Sequence, residues 1–387
     1  MPASLRAFET AKVALLSAGH GIHDMYPAFL APLLPLLQQK LALSNTLAGS
    51  LAAFMRSSSL VQPFIGYLAD RTNVRWFVVL APGITAVCMS LLGATPSYFL
   101  LPPLLILTGL SHASYHAPAP AMIAHVSGDR VGTGMSFFMT GGELGRAAGP
   151  LLIVLTIQWF GLEASYLAAI PGLVMSVVMA RLVGPIRRPG GGDEAAPLRP
   201  RLIERRRPLS LLLALVATRA LLVGSVTVFT PAYLITRGMT LRQAAAGYAL
   251  FELAGAAGAM AGGTLSDRLG RRRTLILCQA LAGPFFLAMV TGSTESIFPW
   301  LAVSGFVVFS ATPVALTLLQ DLLPEARSTA SGLYFSLNYV ATGLAAVLFG
   351  TLADGMGISS AYGLLGVVPL LTLPFAVLLP APIQGKT

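Results

Sequence analysis

Gly263-Thr-Leu265-Ser-Asp267-Arg268-Leu-Gly270-Arg271-Arg272-Arg-Thr-Leu275 decides how the chain is read. One acid and four arginines crowd into a short break between two apolar blocks. A weaker copy stands earlier: Gly66, Leu68, Asp70 and Arg71 fall on Gly263, Leu265, Asp267 and Arg268 at a constant offset of 197 residues. The first copy then departs to Thr72-Asn73-Val74-Arg75, and the same offset places Phe137-Phe138 on Tyr334-Phe335. A half-chain repeat is the mark of a protein built from two similar bundles, which in a membrane points to alternating access around a central site.

The surrounding composition puts both copies in a bilayer. Of the 387 residues, 55% are hydrophobic and only 10% are charged, against roughly a quarter charged in a soluble domain. That excludes a soluble enzyme, a nucleic-acid binder and a disordered chain. Apolar blocks run at roughly 10–37, 45–68, 75–94, 98–126, 130–157, 163–183, 208–235, 241–265, 274–292, 297–322, 327–352 and 359–380. Twelve spans of about 20 residues each fit the length with little to spare. The expected fold is therefore an all-α polytopic membrane protein with twelve transmembrane helices in two pseudo-symmetric six-helix bundles. Long apolar blocks argue against a β-barrel, which reads as short alternating segments. The first block is too long for a signal peptide and lacks its cleavage pattern, so it reads as a permanent helix. Cys88 and Cys278 lie in separate apolar blocks and imply no disulfide framework.

The polar stretch 184–207 holds seven arginines and reads as a cytoplasmic linker between an N-terminal half, 1–183, and a C-terminal half, 208–387. With the N-terminus cytoplasmic, all but six of the 25 Lys and Arg face the cytoplasm. Lys40, Arg237 and Arg242 lie outside, and Arg56, Arg146 and Arg219 lie within helices. The positive-inside rule then places both termini inside, and the net charge of +10 becomes mostly a matter of topology on an anionic leaflet.

The second loop copy matches G-x-L-x-D-R-x-G-R-R-x-x-L throughout and resembles the signature loop of the major facilitator superfamily. The resemblance covers the whole chain. It implies that Asp70, Arg71, Asp267, Arg268 and Arg271 latch the two halves on the cytoplasmic face. Glycine in such a loop lets helices approach, and an Asp at a helix junction pairs with Arg or with a helix N-terminus. In helix 5, Gly141-Gly-Glu143-Leu-Gly145-Arg146-Ala-Ala-Gly149-Pro150 resembles the G-x-x-x-G-P motif of drug/proton antiporters. The Gly-Gly usual after that Pro is absent, and Leu105 stands where those antiporters often carry an Arg. A narrower resemblance is to the fosmidomycin-resistance-type exporters. It rests on Gly19-His20-Gly-Ile-His23-Asp24-Met-Tyr26, on Leu33-Leu-Pro35, on Gln62-Pro63-x-x-Gly66-Tyr67 and on Tyr115-His116 beside prolines. Those relatives carry an aromatic-His-Pro-Glu run in helix 4, whereas here Ala117-Pro118-Ala119 follows His116.

Ionisable groups in membrane helices are costly and mark function by default. Here they balance: Asp24, Glu143 and Glu252 against Arg56, Arg146 and Arg219. All five histidines lie in the first half, four of them on blocks 1 and 4 at helical spacing: His20, His23 and Asp24 on one, His112 and His116 on the other. Counting about 14 residues from the cytoplasmic end puts Asp24 and His112 both about 21 Å deep. A carboxylate–imidazole cluster of Asp24, His20, His23, His112 and His116 is therefore expected as the proton-coupling site. His125, near the cytoplasmic end, reads as structural. His112 and His116 also have the i,i+4 spacing of a zinc pair, but without thiolates no metal site is expected. Arg56 is a partner for Asp24 or a fork for an anionic substrate. Arg146 with Glu252 reads as a gate between the halves, or Arg146 with Glu143 as a local i,i+3 pair. Tyr115, Arg219 and Asn338 join Arg56 as candidate substrate contacts. Pro27, Pro32 and Pro35 are expected to break helix 1, and Pro118 and Pro120 to bend helix 4.

These readings describe a secondary transporter of the inner (cytoplasmic) membrane, a proton-coupled exporter of a small organic compound or drug. The alternative is a proton-coupled importer of a small metabolite such as an organic acid. No nucleophile–base pair stands out and no G-x-x-x-x-G-K-[ST] loop is present, so neither an enzyme nor ATP-driven transport is expected, and no cofactor. A receptor would need an output domain. The expected partners are a small-molecule substrate, protons and the lipid bilayer, with no nucleic acid, and the resemblance implies a monomer.

Overall fold

The computed structural model describes residues 8–62, 64–65, 75–128, 131–183, 203–323 and 327–379. Among them, the regular elements are all helices: α1 Thr10–Met25, α2 Leu30–Leu41, α3 Asn45–Ser57, α4 Arg75–Ser90, α5 Leu101–His116, α6 Ala119–Val126, α7 Val131–Phe160 and α8 Ile170–Leu182. The second half follows with α9 Arg206–Thr236, α10 Leu241–Leu269, α11 Arg271–Thr291, α12 Ile297–Leu322, α13 Arg327–Met356 and α14 Ile358–Leu378. Asp70 and Arg71 lie outside the described residues, as does most of the 184–207 linker.

Seven stretches among the described residues are long and apolar enough to cross a membrane: Leu162–Leu182, Arg206–Thr236, Leu241–Leu269, Arg271–Thr291, Thr294–Leu322, Leu333–Met356 and Ile358–Leu378. The chain is an all-helical, multi-pass membrane protein. Only one of the seven falls in the first half, where blocks 1 and 4 are each divided into shorter helices. Proline explains two of the breaks, because it has no N–H for the carbonyl four residues back. Pro27 opens the 3-10 turn Pro27–Phe29 between α1 and α2, and Pro118 stands between α5 and α6. Pro32 and Pro35 do not break the helix as expected. Pro32 lies in the first turn of α2, where its N–H has no intrahelical partner to lose, and Pro35 is carried inside it.

Contacts divide the chain into two compact units. The first comprises Met1–Leu43, Phe54–Gly191 and Met239–Ala249. There α1 packs on α7, and α4 packs on both α5 and α8. The second comprises Ser44–Ala53, Gly192–Gly238 and Leu250–Thr387. There α9 packs on α13, and α11 packs on both α12 and α14. Shifting the first scheme by the 197-residue offset gives the second, so the sequence repeat is also a repeat of helix pairing.

A stripe of small residues fixes the α1–α7 pair. A methyl group added at Gly141, Gly145 or Gly149 would overlap the carbonyl oxygens of Ser17, Gly21 and Met25 respectively. Spacing of four on both helices keeps the two backbones in contact over two turns, as small residues do in membrane helices. In the second unit Gly258 and Gly262 of α10 play the same part against Phe306 and Ser310 of α12. Gly263, the first glycine of the loop motif, meets nothing within 4 Å among the described residues. Gly270 is different. Its φ of +89° lies in the region that favours glycine, and it turns the chain from α10 into α11.

Candidate functional site

The α1–α7 stripe determines which polar residues meet. His20, His23 and Asp24 lie in the last two turns of α1, and His112 and His116 in the last two turns of α5. His20, His23 and Asp24 are buried, Asp24 to 2% exposure, and His112 and His116 are half-buried. His116 Nε2 lies 2.9 Å from Asp24 Oδ1, and His20 Nε2 lies 3.3 Å from Asp24 Oδ2. One residue beyond Gly145, Arg146 donates from Nη1 to the same Oδ2 at 3.0 Å. Its other terminal nitrogen pairs with Glu143. The rings form one aromatic group: His20 stacks on Phe138 at 3.9 Å, His23 on Tyr115 at 4.5 Å, and His112 meets His116 at 4.0 Å.

Hydrogen-bond direction fixes where protons stand. His20 Nδ1 lies 2.7 Å from the Phe138 carbonyl, which only accepts, so Nδ1 carries a hydrogen. Nε2 then faces a carboxylate oxygen across 3.3 Å. This is an ion-pair distance without hydrogen-bond geometry: Nε2 is buried and has no hydrogen-bond partner among the described residues, so it is the ring nitrogen left to take up a proton beside the carboxylate. His23 is ordered by a second chain. Ser111 Oγ donates to the Ala81 carbonyl at 3.0 Å, and Thr85 Oγ1 donates to Ser111 Oγ at 2.9 Å. Thr85 is left to accept from His23 Nδ1 at 3.4 Å. His23 Nε2 therefore keeps a lone pair, and it is buried with no hydrogen-bond partner among the described residues.

Tyr115 is fully buried and its hydroxyl donates to the Leu16 carbonyl at 3.2 Å. Arg56 is half-buried in the last turn of α3, and Asn338 half-buried on α13. Arg219 is buried in α9 and donates from Nε and Nη2 to the Val308 carbonyl at 3.1 and 2.9 Å, and also to Thr312. A cavity of about 10 Å³ beside it, lined by Thr218, Cys278 and Gln279 among others, holds no more than a water. Glu252 is buried in α10. At the α10–α11 junction, Arg271 Nη1 reaches Asp267 Oδ1 at 2.6 Å and Ser266 Oγ at 2.7 Å, and its Nε approaches Asp321 of α12 at 3.5 Å. Arg268 is exposed.

Sequence reasoning missed Thr85 and the Phe138 carbonyl, which orient His23 and His20. Neither leaves a motif. It also missed Asp354 of α13. This carboxylate accepts the backbone N–H groups of Asn45 and Thr46 at 2.8 and 2.9 Å and the Thr46 hydroxyl at 2.6 Å, capping α3 in the manner of an N-cap acid.

The family model described as Major Facilitator Superfamily matches residues 16–265 and 242–386. The chain belongs to the major facilitator superfamily. It is 27% identical over 363 residues to the fosmidomycin resistance protein of Escherichia coli K12, covering 92% of this chain and 89% of that one. Among solved structures, a bacterial homologue of the human lysosomal transporter Spinster, inward-facing and occupied, superimposes with a TM-score of 0.82 over 96% of this chain and 97% of its own, at 14% identity. A D-xylose–proton symporter does so with 0.76 over 98% and 100%, also at 14% identity. At such identities these two carry the fold alone. A major facilitator protein is a membrane transporter of small molecules and not an enzyme.

Proposed function

We propose that this transporter exports a small organic compound in exchange for protons, and that the proton rides on Asp24 and His20. The observation that carries this reading is the His20–Asp24 contact. With Nδ1 committed to the Phe138 carbonyl, Nε2 is the ring nitrogen left open, buried without a hydrogen-bond partner among the described residues and 3.3 Å from Oδ2, where an added proton would pair it with the carboxylate. Arg146 on the same oxygen supplies a charge that competes with that proton, which is what a releasable site needs. A proton entering from outside adds to this pair and leaves to the cytoplasm once the access changes.

The direction rests on the relative that confers fosmidomycin resistance, and the substrate class proposed is a small anionic or amphiphilic compound. Arg56, Arg219 and Asn338 are its proposed contacts. Tyr115, with its hydroxyl engaged, forms a wall. Twelve helices in two bundles, an inner-membrane location with both termini cytoplasmic, and a monomeric state complete the proposal. The Asp267–Arg271 pair and its counterpart around Asp70 and Arg71 serve as cytoplasmic latches, and Arg146 with Glu252 as an inner gate.

The test uses an efflux-deficient bacterial host carrying wild type, Asp24→Asn, His20→Gln or empty vector at equal expression, challenged with a panel that includes fosmidomycin. Resistance from wild type, lost in Asp24→Asn, is expected. In inverted vesicles, substrate addition is expected to release protons with wild type alone. Uptake of an organic acid by wild type without any resistance would reverse the proposed direction.

A further inference from the structure

From the same cluster we infer a second ligand: His23, His112, His116 and Asp24 form a binding site for a borderline divalent transition-metal ion such as zinc. Each of the four offers a ligand atom, and these atoms all lie within 4.8 Å of one another. A tetrahedral ion with bonds of about 2.0–2.1 Å places its ligands about 3.3 Å apart. Rotations of about 1 Å at the imidazoles therefore close the sphere. Three neutral imidazoles with one carboxylate suit zinc, cobalt or nickel, whereas sodium or magnesium would need oxygens.

Two further observations point to a ligand. The first is His23. The chain Ala81 carbonyl, Ser111, Thr85 runs back to Nδ1, so Nε2 is left as a fully buried lone pair. A metal-ligating histidine has this arrangement, its other ring nitrogen donating to an ordered acceptor. The second is the helix breaks. Pro27 and Pro118 follow the cluster directly and have no N–H for the carbonyls of His23 and Ser114 four residues back. Carbonyl oxygens that lack this donor favour a cation, as in transporters whose interrupted helices hold coupling ions.

The two oxygens of Asp24 divide the work. Oδ1 faces His116, on the metal side. Oδ2 faces His20 and Arg146, on the proton side. The ion thus shares its carboxylate with the proposed coupling site, each using a different oxygen. Arg146 repels the ion and keeps the affinity below that of a closed structural site.

The proposal shares its residues with the proton-coupling reading but is tested without transport. Full-length protein, purified without a polyhistidine tag, is titrated with cobalt(II) and then zinc(II). One equivalent of cobalt with intense visible d–d bands, displaced by zinc, is expected. His23→Gln and His112→Gln should each weaken binding at least about tenfold, and Thr85→Val, which frees Nδ1 of His23, by about 10–100-fold at unchanged stoichiometry. His125→Gln, an exposed histidine of α6, should change nothing. Zinc X-ray absorption on wild type needs no variant and should give three imidazoles and one oxygen. No stoichiometric ion, a sulfur ligand from Cys88 or Cys278, or equal affinity in the His23 and His112 variants would overturn it. Loss of proton coupling in Asp24→Asn with zinc still bound to His23, His112 and His116 would leave the transport reading standing and remove the shared carboxylate from this one.

Discussion

Arg146 Nη1 lies 3.0 Å from Asp24 Oδ2, so the one acid of α1 is matched by an arginine from α7. The carboxylate is almost wholly buried, while the arginine side chain is one-third exposed, at 33%. Removing the arginine leaves a buried charge with only imidazoles to stabilise it. Arg146→Gln is expected to cost about 1–3 kcal/mol, read as a lower melting temperature in detergent. Asp24→Asn in the same chain should recover at least half of that loss, since the unpaired charge is gone. Simple additivity in this double-mutant cycle would show that the pair carries no coupling.

The pair depends on backbone contact between α1 and α7. Gly145→Ala would drive a methyl into the Gly21 carbonyl, force the helices apart and draw Arg146 away from Asp24. A strong loss of transport and of thermal stability is expected, in the range of about 1–3 kcal/mol for overpacking. Gly263→Ala is the control. It stands in the more conspicuous motif, yet a methyl there meets nothing within 4 Å among the described residues. Melting curves of the two variants side by side decide this, and equal destabilisation would contradict the stripe.

Much of the cluster was legible in the sequence because helical spacing is a local property. His20, His23 and Asp24 share a face at any tertiary arrangement, and so do His112 and His116. Counting residues from the helix ends put the two sets at one level, and His116 does meet Asp24. Arg146 was read differently, as one side of a gate with Glu252 or as a partner of Glu143. Its contact with Asp24 depends on the register of α7 against α1. That register was written in Gly141, Gly145 and Gly149 on one helix and in Ser17 and Gly21 on the other. It becomes readable only once both are known to be neighbours. Thr85 had no such signature, since a threonine in an apolar helix most often bonds its own backbone. The breaks at Pro27 and Pro118 were foreseen, but Pro32 and Pro35 were not distinguished from them: Pro32 falls in a first turn, where its N–H is not needed, and Pro35 is carried inside α2, as membrane helices tolerate.

Asp267 and Arg271 stand at i,i+4 across the Gly270 turn, with the Asp side chain 70% exposed. A pair so exposed contributes about 0.2–1 kcal/mol. Asp267→Asn should therefore leave the melting temperature within error while lowering transport several-fold if the loop is a latch. A transport loss matched by an equal stability loss would make the pair structural. Arg271→Lys keeps the charge but loses the fork that reaches Ser266 and Asp321, and is expected to fall between wild type and Asp267→Asn.

Asp354 accepts three hydrogen bonds from the start of α3, two from backbone N–H groups and one from the Thr46 hydroxyl. The adjacent backbones also touch, since a methyl at Gly350 would overlap the Asn45 carbonyl. The cap therefore holds the end of α3 that clusters with the second unit. Asp354→Ala removes all three acceptor contacts and should cost about 1 kcal/mol, the usual value for an N-cap. It should also loosen the first turn of α3 locally, because helix ends without caps fray. A cysteine placed at Leu47, which is exposed in the first turn of α3, reports on this directly and leaves the Ser44 hydroxyl to accept the backbone N–H of residue 47. Background is low because Cys88 and Cys278 are both buried. Labelling of Leu47→Cys by a membrane-impermeant maleimide is expected to speed up several-fold when Asp354→Ala is added, and to be slowed again by Asp354→Asn, whose amide oxygen still accepts. Equal labelling rates in all three backgrounds would mean that packing at Gly49 and Gly350 holds the helix end without the carboxylate.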